Sequence, residues 1–215
     1  MYSTYMEKNM VQYLSAVFGW MFLGLSVTAY SAYSIGTNPA LIKPLLASKF
    51  VIIGLFIAEI ILVIAITSLS ECAGNILAGF LFIVFSALNG VLLSSIFVAF
   101  NINTIYLAFI VAAGIFGSSC IYGYVTKTDL SQLGGILFMS LSGLLIATIA
   151  NIFLANQTLD WVISYSGVVI FTVYTAFDIQ EAKFMPYSPI NSALDLYLDF
   201  FNLFIFVLQI LGDDD

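Results

Sequence analysis

The sequence predicts an all-α polytopic membrane protein, a bundle of seven transmembrane helices with the last helix at its centre. Of its 215 residues, 62% are hydrophobic and only 8% are charged, and the mean hydropathy is +1.10. The apolar residues form seven runs of roughly the 20 residues that an α-helix needs to cross a bilayer. These runs are continuous rather than alternating, which excludes a transmembrane β-barrel.

The seven predicted spans are joined by short connections, which leave no room for an extramembrane domain. Residues 1–215 are therefore predicted to form a single transmembrane domain whose function lies within its helices. The N-terminal segment is polar with mixed charge, unlike a cleaved signal peptide, so the first run is predicted to remain in the protein. The spans are residues 13–33, 50–69, 76–100, 105–125, 133–154, 159–182 and 193–211.

The charged residues restrict the partners and the orientation of the chain. The net charge is −7, and the five basic residues are all lysines, with no histidine. Nucleic-acid binding requires a basic face, so no nucleic-acid partner is predicted. Without histidine, Cys72 and Cys120 are predicted to be packing thiols rather than metal ligands. If the N-terminus is cytoplasmic, three lysines are cytoplasmic and two are external, which favours that orientation.

Small residues indicate which helix faces pack closely, because they let helix backbones approach one another in lipid. The third span has Ser86, Gly90 and Ser94 at steps of four residues. The fifth span has Gly135, Gly143 and Ala147 on one helical face with Asn151. Both faces are predicted to be sites of helix–helix contact.

The last run carries a stripe of polar residues. Asp195, Asp199, Asn202 and Gln209 recur at intervals of four, three and seven, which keeps them on one side of a helix. An ionised aspartate in the middle of a bilayer costs at least about 2.5–3.5 kcal/mol, so this stripe must face protein or water. The other helices are therefore predicted to surround the last one.

Acidic residues within the predicted spans are candidate functional residues. They are Glu59, Asp178, Asp195 and Asp199. Ser192 followed by Asp195 is typical of a helix N-terminus. With a helix beginning there, Asp199 lies about 9 Å into it, and Asp178 lies about 7–8 Å from the end of the preceding helix. Asp178 and Asp199 are then expected to meet at one depth, although the spacing also allows Asp178 to pair with Asp195.

Such a pair of carboxyl groups would act as a pH sensor. Two carboxyl groups within hydrogen-bond reach do not both ionise readily, so they share one proton. The shared proton holds the two helices together, whereas its loss leaves two negative charges that repel each other and can bind a hard cation. Oxygen ligands without histidine or cysteine favour Ca²⁺ over a transition metal. Simpler roles stay open: Asp195 as a helix cap, and Glu59 bound to a neighbouring Asn or Ser.

Four stretches resemble the transmembrane Bax inhibitor motif family, in particular its bacterial inner-membrane members. They are LYLDFFNLF at 196–204, FD at 177–178, GVLLSSIF at 90–97 and YGYVTKTDLS at 122–131. The resemblance implies that the last helix is wrapped by two groups of three, and that the protein is a pH-sensitive calcium leak channel. It also implies that Asp178 pairs with Asp199 as sensor and transient Ca²⁺ site, with Glu59 in the ion pathway.

The resemblance also implies an inner-membrane location and binding to a membrane-anchored quality-control protease. Asp195 and Asn202 are expected to support the pathway. The expected partners of the protein are the lipid bilayer and calcium ions, with no resident cofactor. Some members carry an arginine after the second helix that pairs with the aspartates. Here that region reads SLSE at 68–71, and the chain has no arginine. A closed state resting on an Arg–Asp bridge is therefore in doubt.

Three functions compete at this point. The first is a pH-gated calcium leak, and the second is a non-conducting regulator that binds another membrane protein. The third is an intramembrane aspartyl protease, in which two aspartates activate a water molecule. Such proteases place one aspartate in a GxGD element, which this sequence lacks. The sequence therefore predicts that the protein is not an enzyme, and it does not separate the first two functions.

Overall fold

The computed structural model describes residues 2–72, 75–184 and 188–212, without the side chains of residues 2–8, 49, 71, 72 and 75. Within these residues the chain forms nine α-helices and one short 3-10 helix. The α-helices are α1 (Tyr2–Gly36), α2 (Pro39–Ala47), α3 (Lys49–Cys72), α4 (Asn75–Leu93), α5 (Ile96–Ala99), α6 (Ile102–Val125), α7 (Gly134–Leu154), α8 (Gln157–Phe184) and α9 (Pro189–Gly212), and the 3-10 helix covers Ser131–Leu133.

Seven stretches are long and apolar enough to cross a membrane. Each overlaps one predicted span, and no boundary differs by more than four residues. The all-α polytopic membrane class is confirmed. The last stretch is half buried, the largest share among the seven, as expected for a helix surrounded by others. The stretches are Asn9–Gly36, Phe50–Ser70, Ile76–Ala99, Ile102–Val125, Ser131–Leu154, Gln157–Phe184 and Pro189–Gly212.

The helices form two compact units. The first contains α1 to α5 and residues 189–197 of α9, and the second contains α6 to α8 and residues 198–212 of α9. Each unit therefore holds three of the first six spans, and the last helix contributes to both. This division agrees with the two groups of three helices that the family resemblance implied.

In the first unit, α1 and α4 pack closely through small residues. Gly90 of α4 lies against the α1 backbone, because a Cβ atom placed there would be only 2.5 Å from the carbonyl oxygen of Thr28. Ser86, one turn earlier, is fully buried. The predicted contact face of the third span is confirmed.

The predicted contact face of the fifth span is confirmed only at Asn151, which is buried and whose Nδ2 donates to Oδ1 of Asp160 on α8. A Cβ atom at Gly135 or Gly143 would meet nothing within 4 Å among the described residues. In the second unit the close approach is instead between α6 and α8, where Gly123 lies against the backbone of Ala176. Periodic glycines alone did not distinguish the face that meets protein from the face that does not.

The last helix begins earlier than predicted, at Pro189. The N–H groups of Asn191 and Ser192 donate to the carbonyl oxygen of Ser188 at 3.0 and 3.3 Å, and proline is well suited to a first helical position. Ser192 is therefore already inside the helix, and Asp195 is not its cap. Asp199 lies about 15 Å from the helix start rather than about 9 Å.

Consequently, the helix start from which the match in depth between Asp199 and Asp178 was estimated is corrected on the α9 side, and the match itself stays a prediction. Asp178 lies six residues, or about 9 Å, before Phe184, where the description of α8 stops. The sequence also has Pro186, a helix-breaking residue, between the two helices, and it lies outside the described residues.

Candidate functional site

Asp199 is a buried carboxylate of the second unit. It lies on α9, and only 4% of its surface is exposed. The next residue, Phe200, packs against α6: its ring meets the rings of Phe109 and Phe116 edge to face, at centroid distances of 5.6 and 5.5 Å. These contacts hold the second half of α9 against α6, so the position of Asp199 is fixed by a well-packed helix interface.

Asp178 lies in the same unit, half-buried on α8. Tyr174 precedes it by one helical turn and therefore lies on the same side of α8. The hydroxyl group of Tyr174 lies within electrostatic range of both the Asp178 and the Asp199 carboxylates. The thiol of Cys120 on α6 also interacts electrostatically with the Asp199 carboxylate. Both predicted sensor residues therefore belong to the second unit, Asp199 on α9 and Asp178 on α8, and their pairing stays a prediction.

Asn202 and Asp195, the two supporting residues, differ in their surroundings. Asn202 is half-buried, and its Nδ2 donates to the carbonyl oxygen of Leu198 at 2.7 Å, a bond within its own helix. Asp195 lies in the part of α9 that belongs to the first unit, and it is exposed. The polar stripe is therefore buried at Asp199 and open at Asp195.

Glu59 is a half-buried acid of the first unit, on α3. Its Oε1 atom is buried, and none of the residues that the structure describes gives it a hydrogen bond. The expected Asn or Ser partner is therefore not found at this oxygen. The hydroxyl group of Tyr197, on α9, lies within electrostatic range of Glu59.

Tyr197 itself was missed by sequence reasoning. Its side chain is fully buried, and its hydroxyl lies 2.7 Å from Oγ1 of Thr28. The Thr28 hydroxyl directs its single proton to the carbonyl oxygen of Ser86 or Gly24, at 2.9 and 3.0 Å. Tyr197 therefore acts as the donor to Thr28. The signal for this role was a tyrosine two residues before Asp199 in the LYLDFF run.

Other hydrogen bonds fix the two ends of α9. In the first unit, the Tyr13 and Ser192 hydroxyls lie 2.8 Å apart, and Ser70 donates to Asn191 Oδ1 at 2.6 Å. In the second unit, Ser164 of α8 donates to Oε1 of Gln209 at 3.0 Å. Hydrogen bonds between side chains of different helices in membrane proteins contribute on average about 0.6 kcal/mol each.

The loop between α6 and α7 is attached to α8 by a buried glutamine. Gln180, with 5% of its surface exposed, accepts the N–H of Leu130 at 2.7 Å and donates to the carbonyl oxygen of Thr128 at 2.8 Å. Lys183, one turn later, donates to the carbonyl oxygen of Tyr124 at 2.8 Å. The YGYVTKTDLS stretch is therefore held on the helix that carries Asp178.

The described residues contain no preformed cage for a metal ion. No group of three or more Cys, Asp and Glu residues is close enough to hold one in this part of the chain. A Ca²⁺ ion usually takes six to eight oxygen ligands, so Asp178 and Asp199 would need backbone oxygens and water to complete such a set. Calcium binding at these residues stays a prediction.

Comparison with known proteins decides the family. The family described as "Inhibitor of apoptosis-promoting Bax1" matches residues 10–215. The chain belongs to this family. The Bax1-inhibitor match covers both structural units, including Asp178 and Asp199, so the family assignment applies to the whole candidate site.

Bacterial relatives match this chain over nearly its full length. The inner membrane protein YbhL of Escherichia coli K12 is 39% identical, over 94% of this chain and 91% of that protein. An uncharacterized protein of Borreliella burgdorferi is 35% identical over the same shares. An uncharacterized membrane protein of Streptococcus pyogenes serotype M1 is 32% identical over 99% of this chain and 97% of its own length. None of these descriptions names a reaction.

Proposed function

We propose that the protein is a pH-sensitive calcium leak channel of a bacterial inner membrane, gated by Asp178 and Asp199. The observation that carries the proposal is the placement of two acids on apolar helices of one unit, Asp199 on α9 with only 4% of its surface exposed and Asp178 half-buried on α8. The E. coli relative, named as an inner membrane protein, supports the location.

The gate works through one proton. At acidic pH, Asp178 and Asp199 share a proton, which joins α8 to the second half of α9. As the pH rises, this proton passes to water, and two negative charges face each other where few water molecules screen them. Repulsion then separates the two carboxylates, and each oxygen can accept a calcium ion in transit.

Glu59, Asp195 and Asn202 are proposed to attract or bind the calcium ion along its pathway. Glu59 offers a buried oxygen without a hydrogen bond from the described residues, which is suited to a passing cation. Asp195, exposed on α9, attracts cations from water. Asn202 donates with its nitrogen to Leu198, and its carbonyl oxygen supplies a neutral ligand beside Asp199.

The proposal is tested by calcium flux in proteoliposomes that contain a calcium-sensitive dye. Raising the pH is expected to increase flux through the wild-type protein. An asparagine at either position has no acidic proton to lose. Asp199→Asn and Asp178→Asn are therefore expected to show, at every pH, the calcium flux that the wild-type protein shows at acidic pH. Asp195→Asn, which removes an exposed acid one turn from Asp199, is the matched control and should keep the pH response.

Two results would overturn the calcium leak proposal. One is flux that is indifferent both to pH and to Asp199→Asn. The other is a loss of the pH response in Asp195→Asn as large as that in Asp178→Asn and Asp199→Asn, because the exposed acid would then matter as much as the proposed pair.

A second candidate is a non-conducting regulator that binds another membrane protein, such as a membrane-anchored protease. The family description, which names an inhibitor of another protein, favours it. In that case a membrane protein would co-purify with this chain, and the same proteoliposomes would show no calcium flux at any pH. Neither candidate gives the protein a catalytic role.

A further inference from the structure

A mostly apolar pocket with charged side chains in its lining lies on the second unit where three candidate spans end. It has a volume of about 400 Å³, within the ~300–1,000 Å³ range of small-ligand sites. The loop that lines it lies between the spans Ile102–Val125 and Ser131–Leu154, and its other wall is the end of Gln157–Phe184. A pocket at the ends of spanning helices lies at the level of the lipid headgroups.

The loop that lines this pocket is held in place by hydrogen bonds. Gln180 fixes it at Thr128 and Leu130, as described above. Hydrogen bonds from the side chain and from the N–H of Ser131 lower the pKa of the Asp129 carboxyl group, and the N–H bond is 3.0 Å long. Asp129 is therefore ionised at neutral pH, and the loop presents its charged side chains from a fixed backbone.

The lining combines both signs of charge with an apolar wall. Lys127 supplies one positive charge, and Asp129 and Glu181 supply two negative charges. Phe177 and Phe184 form the apolar part, and 66% of the surface of Phe184 is exposed. A complementary ligand carries an ammonium group for the carboxylates, an anionic group for the lysine and an adjoining apolar portion.

We propose that this pocket binds the headgroup of phosphatidylethanolamine. Its primary ammonium donates to the carboxylates of Asp129 and Glu181, its phosphate binds Lys127, and its acyl chains run along Phe177 and Phe184 into the bilayer. The headgroup of phosphatidylcholine has no N–H donor for the carboxylates, and that of phosphatidylglycerol has no cation. Binding at this pocket requires no ion flux through the helices.

Native mass spectrometry of the purified full chain in detergent tests this assignment. The probes are short-chain phosphatidylethanolamine, phosphatidylcholine and phosphatidylglycerol, and free phosphoethanolamine. Phosphatidylethanolamine is expected to bind up to about fivefold more tightly than the other two lipids, since one exposed charged contact contributes up to ~1 kcal/mol. Free phosphoethanolamine, which lacks the apolar portion, should bind more weakly than its lipid.

Variants separate this pocket from general lipid binding. Lys127→Ala and Glu181→Gln are each expected to weaken phosphatidylethanolamine binding about fivefold. Neither side chain takes part in the hydrogen bonds that hold the loop. Lys43→Ala and Asp195→Asn, which change exposed charges of the first unit, are the matched controls and should bind like the wild type.

Three outcomes would overturn the assignment. Equal binding of the three lipids would remove the role of the ammonium group. Unchanged binding in both Lys127→Ala and Glu181→Gln would place the lipid elsewhere. Free phosphoethanolamine binding as tightly as the lipid would show that the pocket takes a soluble ligand.

Discussion

Gly90→Ala is the substitution whose cost follows most directly from the structure. The new Cβ atom would lie 2.5 Å from the carbonyl oxygen of Thr28 and 2.6 Å from Cβ of Ser31, both on α1. Ordinary contact begins at 3.4 Å, so the first distance is short by about 0.9 Å. Because the obstructing oxygen belongs to the backbone, no side-chain rotation can relieve the contact, and α1 and α4 must separate.

The expected magnitude combines two opposing effects. Overpacking of this kind costs typically ~1–3 kcal/mol, whereas replacing a helical glycine by alanine gains ~0.5–1 kcal/mol in backbone entropy. Gly90→Ala is therefore expected to lower the free energy of unfolding by up to about 2.5 kcal/mol relative to the wild type, and to be about 1–3 kcal/mol less stable than an alanine substitution that meets no obstruction. Gly54→Ala on α3, where a Cβ would meet nothing within 4 Å, should only gain the entropic term.

The assay is equilibrium unfolding of both variants and the wild type in mixed detergent micelles. Gly54→Ala should be slightly more stable than the wild type, and Gly90→Ala clearly less stable than Gly54→Ala. If Gly90→Ala were as stable as Gly54→Ala, the close approach of α1 and α4 would not limit this position, and the packing account of the first unit would be refuted.

Three further changes test other parts of the fold. Ala155 follows α7 in a left-handed backbone conformation, at φ 47°. Ala155→Gly is therefore expected to raise the free energy of unfolding by about 0.5–1 kcal/mol, and a decrease would contradict this conformation. Tyr197→Phe, which removes the donor to Thr28, should cost about 0.6–1.5 kcal/mol in the same unfolding measurement, and no change would mean that this bond contributes nothing. Gln180→Leu should speed amide hydrogen exchange at Leu130 about tenfold or more, whereas unchanged exchange would show that other contacts hold the loop.

The sequence predicted the helices well because their signal is long and strong. Seven runs of about 20 apolar residues admit few other interpretations, and every predicted boundary lies within four residues of the structure. The start of α9 was missed because Ser192 with Asp195 imitates a capping box. The better signal was Ser188 followed by Pro189, since proline is preferred at the first helical position.

Helix contacts were less predictable than the helices themselves. Gly90 and Gly143 share the same small-residue spacing, yet one lies against a neighbouring backbone and the other meets nothing. Spacing gives the face that a residue occupies but not what that face meets. Gln180 was missed for a related reason: its partners are backbone atoms of a loop, which have no side-chain signature in sequence.

The candidate site was predicted by chemistry more reliably than by geometry. An acid in an apolar span is rare enough to single out Glu59, Asp178 and Asp199 at once. The depth argument that paired Asp178 with Asp199 used a helix start that the structure corrects. Tyr174, the hydroxyl near both carboxylates, could have been found from its position one turn before Asp178.

Infrared spectroscopy of the carboxylic-acid C=O band, followed through a pH titration, tests the shared proton most directly. If one proton belongs to the pair, Asp178→Asn and Asp199→Asn should each abolish the same titration step, at the pH where wild-type calcium flux rises. Two independent steps, each lost in only one variant, would contradict proton sharing and leave the proposed gate without its mechanism.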